Sequence, residues 1–120
     1  MKKTTKDAFF TSFHGVAVLA TVNELIDVCG QPIFSENSGE DKVNFEWVME
    51  TDDGDVFTIY DWKEYRTIGR EEVIEWHIGS HSKLIALTAG EELNRALTLS
   101  EEDLRGQRAP KEAPQPGQKF

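Results

Sequence analysis

Apolar and polar residues alternate on both sides of an Asp-Gly pair in residues 43–62, VNFEWVMETDDGDVFTIYDW. A period of two is typical of a half-buried strand, and Asp-Gly favours a tight turn between two such strands, so the stretch predicts a β-hairpin. A two-residue loop at Asp53-Gly54 places Trp47 opposite Tyr60, and one face then carries Val43, Phe45, Trp47, Met49, Thr58, Tyr60 and Trp62. A three-residue loop shifts the register by one position and invalidates this map.

A strand and a short capped helix are predicted before the hairpin. Residues 15–20, GVAVLA, have the continuous apolar character of a buried strand. Thr21 and Glu24 have the spacing of a capping box, in which each side chain accepts a hydrogen bond from the other residue's backbone. Gly30 can close this helix, and Pro32 forbids its continuation. The helix is therefore expected to be about two turns long.

The pattern after the hairpin predicts one more strand and one more helix. Residues 72–78, EVIEWHI, alternate again and indicate a third strand of the same sheet. Residues 83–97 place alanines and leucines at helical spacing. The order β-α-β-β-β-α predicts an α+β fold, with an antiparallel sheet and both helices packed on one face.

The ends of the chain differ in composition from its centre. Residues 1–12 are basic and rich in threonine, which predicts a flexible lead, and residues 13–104 are expected to form one domain. Residues 105–120 contain three of the four prolines and no apolar run. This composition predicts a C-terminal tail that is disordered or bound by a partner.

The charge balance narrows the classes of partner. The chain has 22 Asp and Glu residues against 13 Lys and Arg residues, a formal net charge of −9. Such a surface repels phosphate backbones, so general nucleic-acid binding is not expected, and it favours either a basic protein partner or simple solubility. No run approaches the roughly 18 apolar residues of a membrane span. The single cysteine, Cys29, fits a small core residue in a reducing compartment, which predicts a cytoplasmic protein.

The segment Gly79-Ser80-His81-Ser82-Lys83 is the best candidate for a ligand site. It joins a strand to a helix, where backbone N–H groups, hydroxyls and a lysine can hold a phosphate or carboxylate. Trp62, at the exit of a strand, can stack on the ring of a nucleotide or another anionic small ligand. The alternative is ordinary helix capping, because Ser80 and Ser82 are preferred cap residues. The segment lacks the flanking glycines and the ending of a Walker motif.

Acidic and aromatic residues suggest a protein-binding surface. In the two-residue register Glu46 lies opposite Asp61, on the face that also carries Glu50. These carboxylates, together with an exposed Tyr65, are candidates for contact with a basic partner. The alternative is a solvated face on which a lysine separates the two charges.

The spacing of histidine, cysteine and serine residues in the sequence gives little support for a catalytic or metal-binding site. His77 and His81 are four residues apart, but Gly79 interrupts the segment between them, and we predict no metal site and no cofactor. Cys29 has no nearby histidine in sequence, and no serine lies in a nucleophile elbow. The chain is therefore expected not to be an enzyme.

The runs DGDVFTIYDWKEY and EWHIGSHSK resemble a pattern found in small uncharacterised proteins of phages and prophages. In those proteins a DG turn, an FTIYDWK-like strand and a WHIGGHS-like turn recur, and the resemblance covers about residues 43–83. Ser80 stands where the pattern has a second glycine. The resemblance implies a phage-type accessory protein in the host cytoplasm and brings no catalytic residues.

Three functions follow as expectations. The first is a non-enzymatic protein that binds and inhibits a basic host factor, such as a defence factor. The second is a small-ligand binder that sequesters a nucleotide or phosphate at Gly79–Lys83. The third is a structural or virion component that docks through its tail, with homo-oligomerisation open in each case.

Overall fold

The structure is a computed structural model that describes the backbone of residues 1–112 and the side chains of residues 1–101. Within this part the chain forms six strands and two helices. In chain order they are β1 (Lys2–Lys3), β2 (Ser12–Ala20), α1 (Val22–Cys29), β3 (Phe34–Ser35), β4 (Phe45–Glu50), β5 (Val56–Tyr60), β6 (Ile74–Ser80) and α2 (Lys83–Glu112). The predicted α+β class and element order are confirmed, with β1 and β3 as short additions.

All six strands belong to one antiparallel sheet. Strand β4 pairs with β5, β5 with β6, and β6 with β2, which forms one edge. At the other edge, β1 and β3 each pair with part of β4. Residues 1–12, predicted to be a flexible lead, therefore contribute a strand to the sheet.

The predicted hairpin exists, but its predicted register is wrong by one position. Trp47 pairs with Ile59 and Glu46 with Tyr60, so Trp47 is not opposite Tyr60, and Glu46 is not opposite Asp61. The reason is the loop. The Thr51 N–H donates to the Asp55 carbonyl oxygen at 2.9 Å, which leaves three residues between them, the last of which is glycine at positive φ. A three-residue hairpin loop with a left-handed glycine is the next favoured solution after the two-residue turn.

The corrected register divides the aromatic residues between the two sheet faces. Phe45, Trp47 and Trp76 lie in the core, where the two tryptophan rings meet edge to face with centroids 5.6 Å apart. Their indole N–H groups donate to the carbonyl oxygens of Gly30 and Ala20 at 2.7 and 2.9 Å. The single cluster that the two-residue register predicts, with Tyr60 and Trp62 beside Trp47, is therefore wrong.

Both helices pack on the core face of the sheet. Helix α1 begins with the predicted capping box of Thr21 and Glu24, both bonds of which are formed. Three of its residues and three small or apolar residues of α2 join the core, which the sheet completes. The buried helix residues are Val22, Leu25, Cys29, Ala86, Ala89 and Leu93.

The opposite face of the sheet, which we call the outer face, is crossed by the N-terminal segment. Strands β1 and β2 lie at opposite edges, so residues 4–11 connect the two edges, and Ala8 and Thr11 lie beside outer-face residues of β4 and β5. Along this path the Lys6 ammonium donates to the Gly54 carbonyl oxygen at 2.6 Å. The segment covers one end of the outer face and leaves the other end open.

The predicted C-terminal tail, residues 105–120, overlaps the end of α2 at Glu112. Residues 113–120 lie outside the described part of the chain, as do the side chains beyond Glu101.

Candidate functional site

A row of aromatic side chains crosses the open end of the outer face. Phe13 on β2 stacks on His77 of β6, with centroids 3.9 Å apart and ring planes at 11°. Tyr60 on β5 meets His77 at 72° and Trp62 at 84°, both edge to face. We call Phe13, His77, Tyr60 and Trp62 the aromatic stripe. Trp62 and Phe13, at its two ends, are each more than 40% exposed.

Beside the stripe lies a hollow of about 250 Å³ between the N-terminal segment and strands β4, β5 and β6. Its walls combine hydroxyl, aromatic and carboxyl groups, with no lysine or arginine among the lining residues. They are Ala8, Thr11, Ser12, Val43, Glu46, Thr58, Tyr60, Trp62 and Gly79. Among the described residues that line it, the hollow therefore has one carboxyl group and no cationic side chain. Lys42 lines an adjoining hollow that also includes Glu46.

Glu46 supplies that carboxyl group from the outer face of β4. Its side chain is half-buried, and burial raises its pKa above the ordinary value. Among the residues that the structure describes, none donates a hydrogen bond to this carboxylate or forms an ion pair with it. The pKa of Tyr60 is also raised, first by burial and then by the charge of Glu46. Burial in the hollow therefore disfavours the ionised form of Glu46 relative to the protonated form.

Thr58 and Gly79 form the floor of the hollow. Thr58 is only 4% exposed, and its hydroxyl has no hydrogen-bond partner among the described residues. A Cβ atom on Gly79 would lie 2.4 Å from Thr58 Oγ1, which is closer than two such atoms can approach. The glycine therefore makes room for this hydroxyl, and a buried polar group is left available to a ligand.

Trp62 is already in contact with cations of its own chain. The Nζ atoms of Lys42 and Lys63 lie 5.8 and 5.5 Å from the ring centroid, within the range of cation–π attraction. Both lysines are exposed, and neither lines the hollow. Positive φ angles at Lys63 and Tyr65 mark the chain just after Trp62, and unfavourable backbone of this kind concentrates at functional sites.

The structure separates the predicted anion-binding segment from Gly79. Gly79 and Trp62 meet in the hollow, but Ser80, His81, Ser82 and Lys83 do not line it. Ser80 is buried and donates its hydroxyl to the Ser82 carbonyl oxygen at 2.6 Å. The Ser82 hydroxyl accepts from the Ile85 N–H at 3.2 Å, as expected for the N-cap of α2. His81 and Lys83 are exposed at this turn.

The predicted partner-binding residues occupy different environments. Glu46 lines the hollow, Glu50 lies half-buried at the other end of the same strand face, and Tyr65 is exposed. The prediction that Asp61 contacts a partner is wrong, because its side chain is completely buried. Its carboxylate accepts from the backbone N–H groups of Asn44 and Phe45, both at 2.8 Å, and from Asn44 Nδ2 at 2.9 Å. Its role is structural.

Two further features limit the chemistry of the described residues. No group of three or more His, Cys, Asp or Glu side chains within them is arranged to hold a metal ion. Burial raises the pKa of the Cys29 thiol to about 12, which keeps it protonated and unreactive at neutral pH.

None of the described helices combines the length and the apolar character needed to cross a bilayer.

The chain matches no model of a known protein family, no curated protein and no solved structure. The geometry of the outer face is therefore the main basis for a function.

Three residues of the site, Phe13, Thr58 and Tyr60, are missing from the sequence-based candidates, and a fourth, His77, is considered there only as a metal ligand. The two-residue register places Tyr60 beside Trp47. The register of β2 shifts between Phe13 and Ala17, so the alternation of the sequence does not show on which face Phe13 lies. The signal that could have found Tyr60 is Gly54 in the third position of a three-residue loop. Thr58 and Phe13 have no comparable signal, because their neighbours come from distant parts of the chain.

Proposed function

We propose that this chain is a non-enzymatic binding protein that docks the open end of its outer face on a basic protein partner. The observation that carries the proposal is the aromatic stripe, which the helices leave uncovered and which borders a carboxylate without a partner in the described chain. Exposed aromatic residues next to charged groups are typical of the energetic centre of protein interfaces.

The net charge supports a basic partner. At −9 the chain attracts positively charged surfaces over a distance set by the ionic strength, which accelerates their encounter. The resemblance of residues 43–83 to phage and prophage proteins makes a host factor the class of partner that we propose. By analogy, binding would block that factor.

The test is capture of bacterial lysate proteins on the tagged chain, with variants that separate the two sides of the fold. Trp62→Ala and Phe13→Ala remove the ends of the stripe. Leu84→Ala and Leu99→Ala remove apolar side chains of α2 that are more exposed than the two stripe residues. We expect a protein that is retained by wild type and by the α2 variants, lost with the stripe variants, and released by high salt.

Charge reversal gives an independent check on the same partner. Glu46→Lys and Glu50→Lys are expected to weaken capture with little change in melting temperature, because both side chains keep contact with solvent. A partner captured equally well by the stripe variants, or one lost only with the α2 variants, would show that the outer face is not the docking surface.

A small-ligand function is the second candidate, because the hollow brings Trp62 and Gly79 together as a nucleotide site would require. The carboxylate of Glu46 opposes a phosphate at that position. A melting screen with mono-, di- and cyclic nucleotides tests this candidate. A rise in melting temperature that Trp62→Ala removes and Lys83→Ala, outside the hollow, leaves unchanged would favour it over protein binding.

A further inference from the structure

We propose that the hollow binds the guanidinium group of an arginine side chain presented by the protein partner. This inference rests on the proposed function and names the group that the outer face recognises. It follows from the charge, the ring geometry and the hydrogen-bonding capacity of the hollow.

The charge of the hollow selects a cation. Among the residues that the structure describes, Glu46 is the one carboxylate that lines it, none of the lining residues is lysine or arginine, and none pairs with that carboxylate. A half-buried charge without a partner costs stability, because it loses part of its hydration and receives no hydrogen bond in return. An incoming cation would give that carboxylate the partner it lacks.

Two rings of the hollow form a corner that suits a cation with a flat face. Tyr60 and Trp62 lie at 84° to one another, so one ring can stack on a planar group while the other meets its edge. Two lysines of the chain lie within cation–π range of Trp62, as expected for a ring whose face attracts positive charge. Guanidinium stacks on aromatic rings and is more weakly hydrated than ammonium, which favours arginine over lysine.

The polar groups of the hollow match the several N–H donors of guanidinium. The Glu46 carboxylate can accept two of them, and the buried Thr58 hydroxyl, which has no described partner, can accept another. A volume of about 250 Å³ lies below the range of pockets that hold drug-sized ligands and suits a single side-chain head group. The hollow is thus sized for one residue of a partner.

The experiment uses Nα-acetyl-arginine methylamide as the probe and follows amide and indole N–H signals of the full chain by NMR. The matched controls are the citrulline analogue, which keeps the shape without the charge, and the lysine analogue. We expect saturable shifts at Trp62, Glu46 and Thr58 with the arginine probe, weaker ones with lysine and none with citrulline. Glu46→Gln should weaken binding by about tenfold, the scale of one lost charge-assisted hydrogen bond.

Glu75→Gln is the matched control variant, because Glu75 is an exposed carboxylate on β6 that does not line the hollow. It should bind the arginine probe as wild type does. A dispersed amide spectrum verifies that each variant is folded. Equal shifts with citrulline, tighter binding of lysine, or no effect of Glu46→Gln would overturn the assignment.

The outcome separates this inference from the proposed function. If the probe does not bind while Trp62→Ala still abolishes capture of a basic partner, the outer face docks a protein without an arginine in the hollow. If the probe binds but the stripe variants capture the same partner as wild type, the hollow is a cation site and the docking surface lies elsewhere.

Discussion

Glu46 and Thr58 are two outer-face residues whose polar groups the described part of the fold leaves without hydrogen-bond partners. Both line the hollow, where Thr58 is almost completely buried and Glu46 is half-buried. Groups of this kind reduce stability, and proteins retain them most often where binding requires them. At the scale of single residues, they are the clearest sign that the hollow has a function.

Glu46→Gln is expected to raise stability at neutral pH. Burial raises the folded-state pKa of Glu46, so the folded chain binds a proton more readily than the unfolded chain does. Stability therefore falls as pH rises through the interval between the ordinary and the raised pKa, and it stays lower above that interval. The gain from the amide should be about 0.5 kcal/mol, because solvent still reaches the group.

Urea unfolding of wild type and Glu46→Gln at neutral pH and at about pH 4 measures this effect. The difference between the two proteins should shrink at the lower pH, where most of the wild-type carboxyl is protonated in both states. A variant that is less stable than wild type at neutral pH would show that Glu46 has a stabilising partner.

Gly79→Ala is expected to cost about 1–3 kcal/mol of unfolding free energy, because the new methyl group meets Thr58 Oγ1. The same change in a Thr58→Ala background should cost less, since the obstructing atom is gone. Gly69→Ala serves as the control, because a Cβ there makes only ordinary contacts and should change stability by under about 0.5 kcal/mol. Equal costs of Gly79→Ala in both backgrounds would contradict this explanation.

At the scale of elements, the β4–β5 hairpin and the segment after it are held by buried polar contacts as well as by apolar packing. Asp61 follows β5 and accepts the backbone N–H groups at the start of β4, which ties the open ends of the two strands together. Asn44 extends this contact by donating to the Arg66 carbonyl oxygen at 3.2 Å. The hairpin therefore depends on a carboxylate that the alternation of the sequence assigns to a solvated face.

Asp61→Ala is expected to lower the free energy of unfolding by about 3 kcal/mol, because three buried donors lose their acceptor. Asp41→Ala removes an exposed carboxylate from the preceding loop and should change it by under about 0.5 kcal/mol. Thermal or urea unfolding of both variants and of wild type measures these changes in the free energy of unfolding. A small loss for Asp61→Ala would mean that water replaces the carboxylate.

At the scale of the whole molecule, the net charge of −9 acts against compactness. Like charges repel more strongly in the folded chain than in the expanded one. The described ion pairs at Arg66 are exposed and offset little of this repulsion.

Added NaCl is therefore expected to stabilise the protein. Between about 0.02 M and about 0.5 M the screening length falls from about 20 Å to about 4 Å, which weakens the repulsion between charges across the fold. Melting temperature at neutral pH should rise over this range. Near pH 4.7, where the sequence carries no net charge, the rise should be much smaller. A melting temperature that falls with NaCl at neutral pH would indicate that favourable ion pairs outweigh the repulsion.

The sequence by itself determined the elements whose signals are local. The capping box of α1, the alternation of β6 and the existence of the hairpin each depend on residues within a few positions of one another, and all three are confirmed. The α+β class follows from their order. Such features are predictable because hydrogen bonding and side-chain period repeat within a single element.

Only the tertiary structure decided which residues form the candidate site. A loop one residue longer than predicted moves the residues of β5 to the opposite faces relative to β4, because successive strand side chains point to opposite sides. That exchange buried Asp61 and brought Tyr60 to the outer face. The hollow also requires the N-terminal segment to cross the sheet between its two edges, a long-range arrangement for which the local pattern holds no signal.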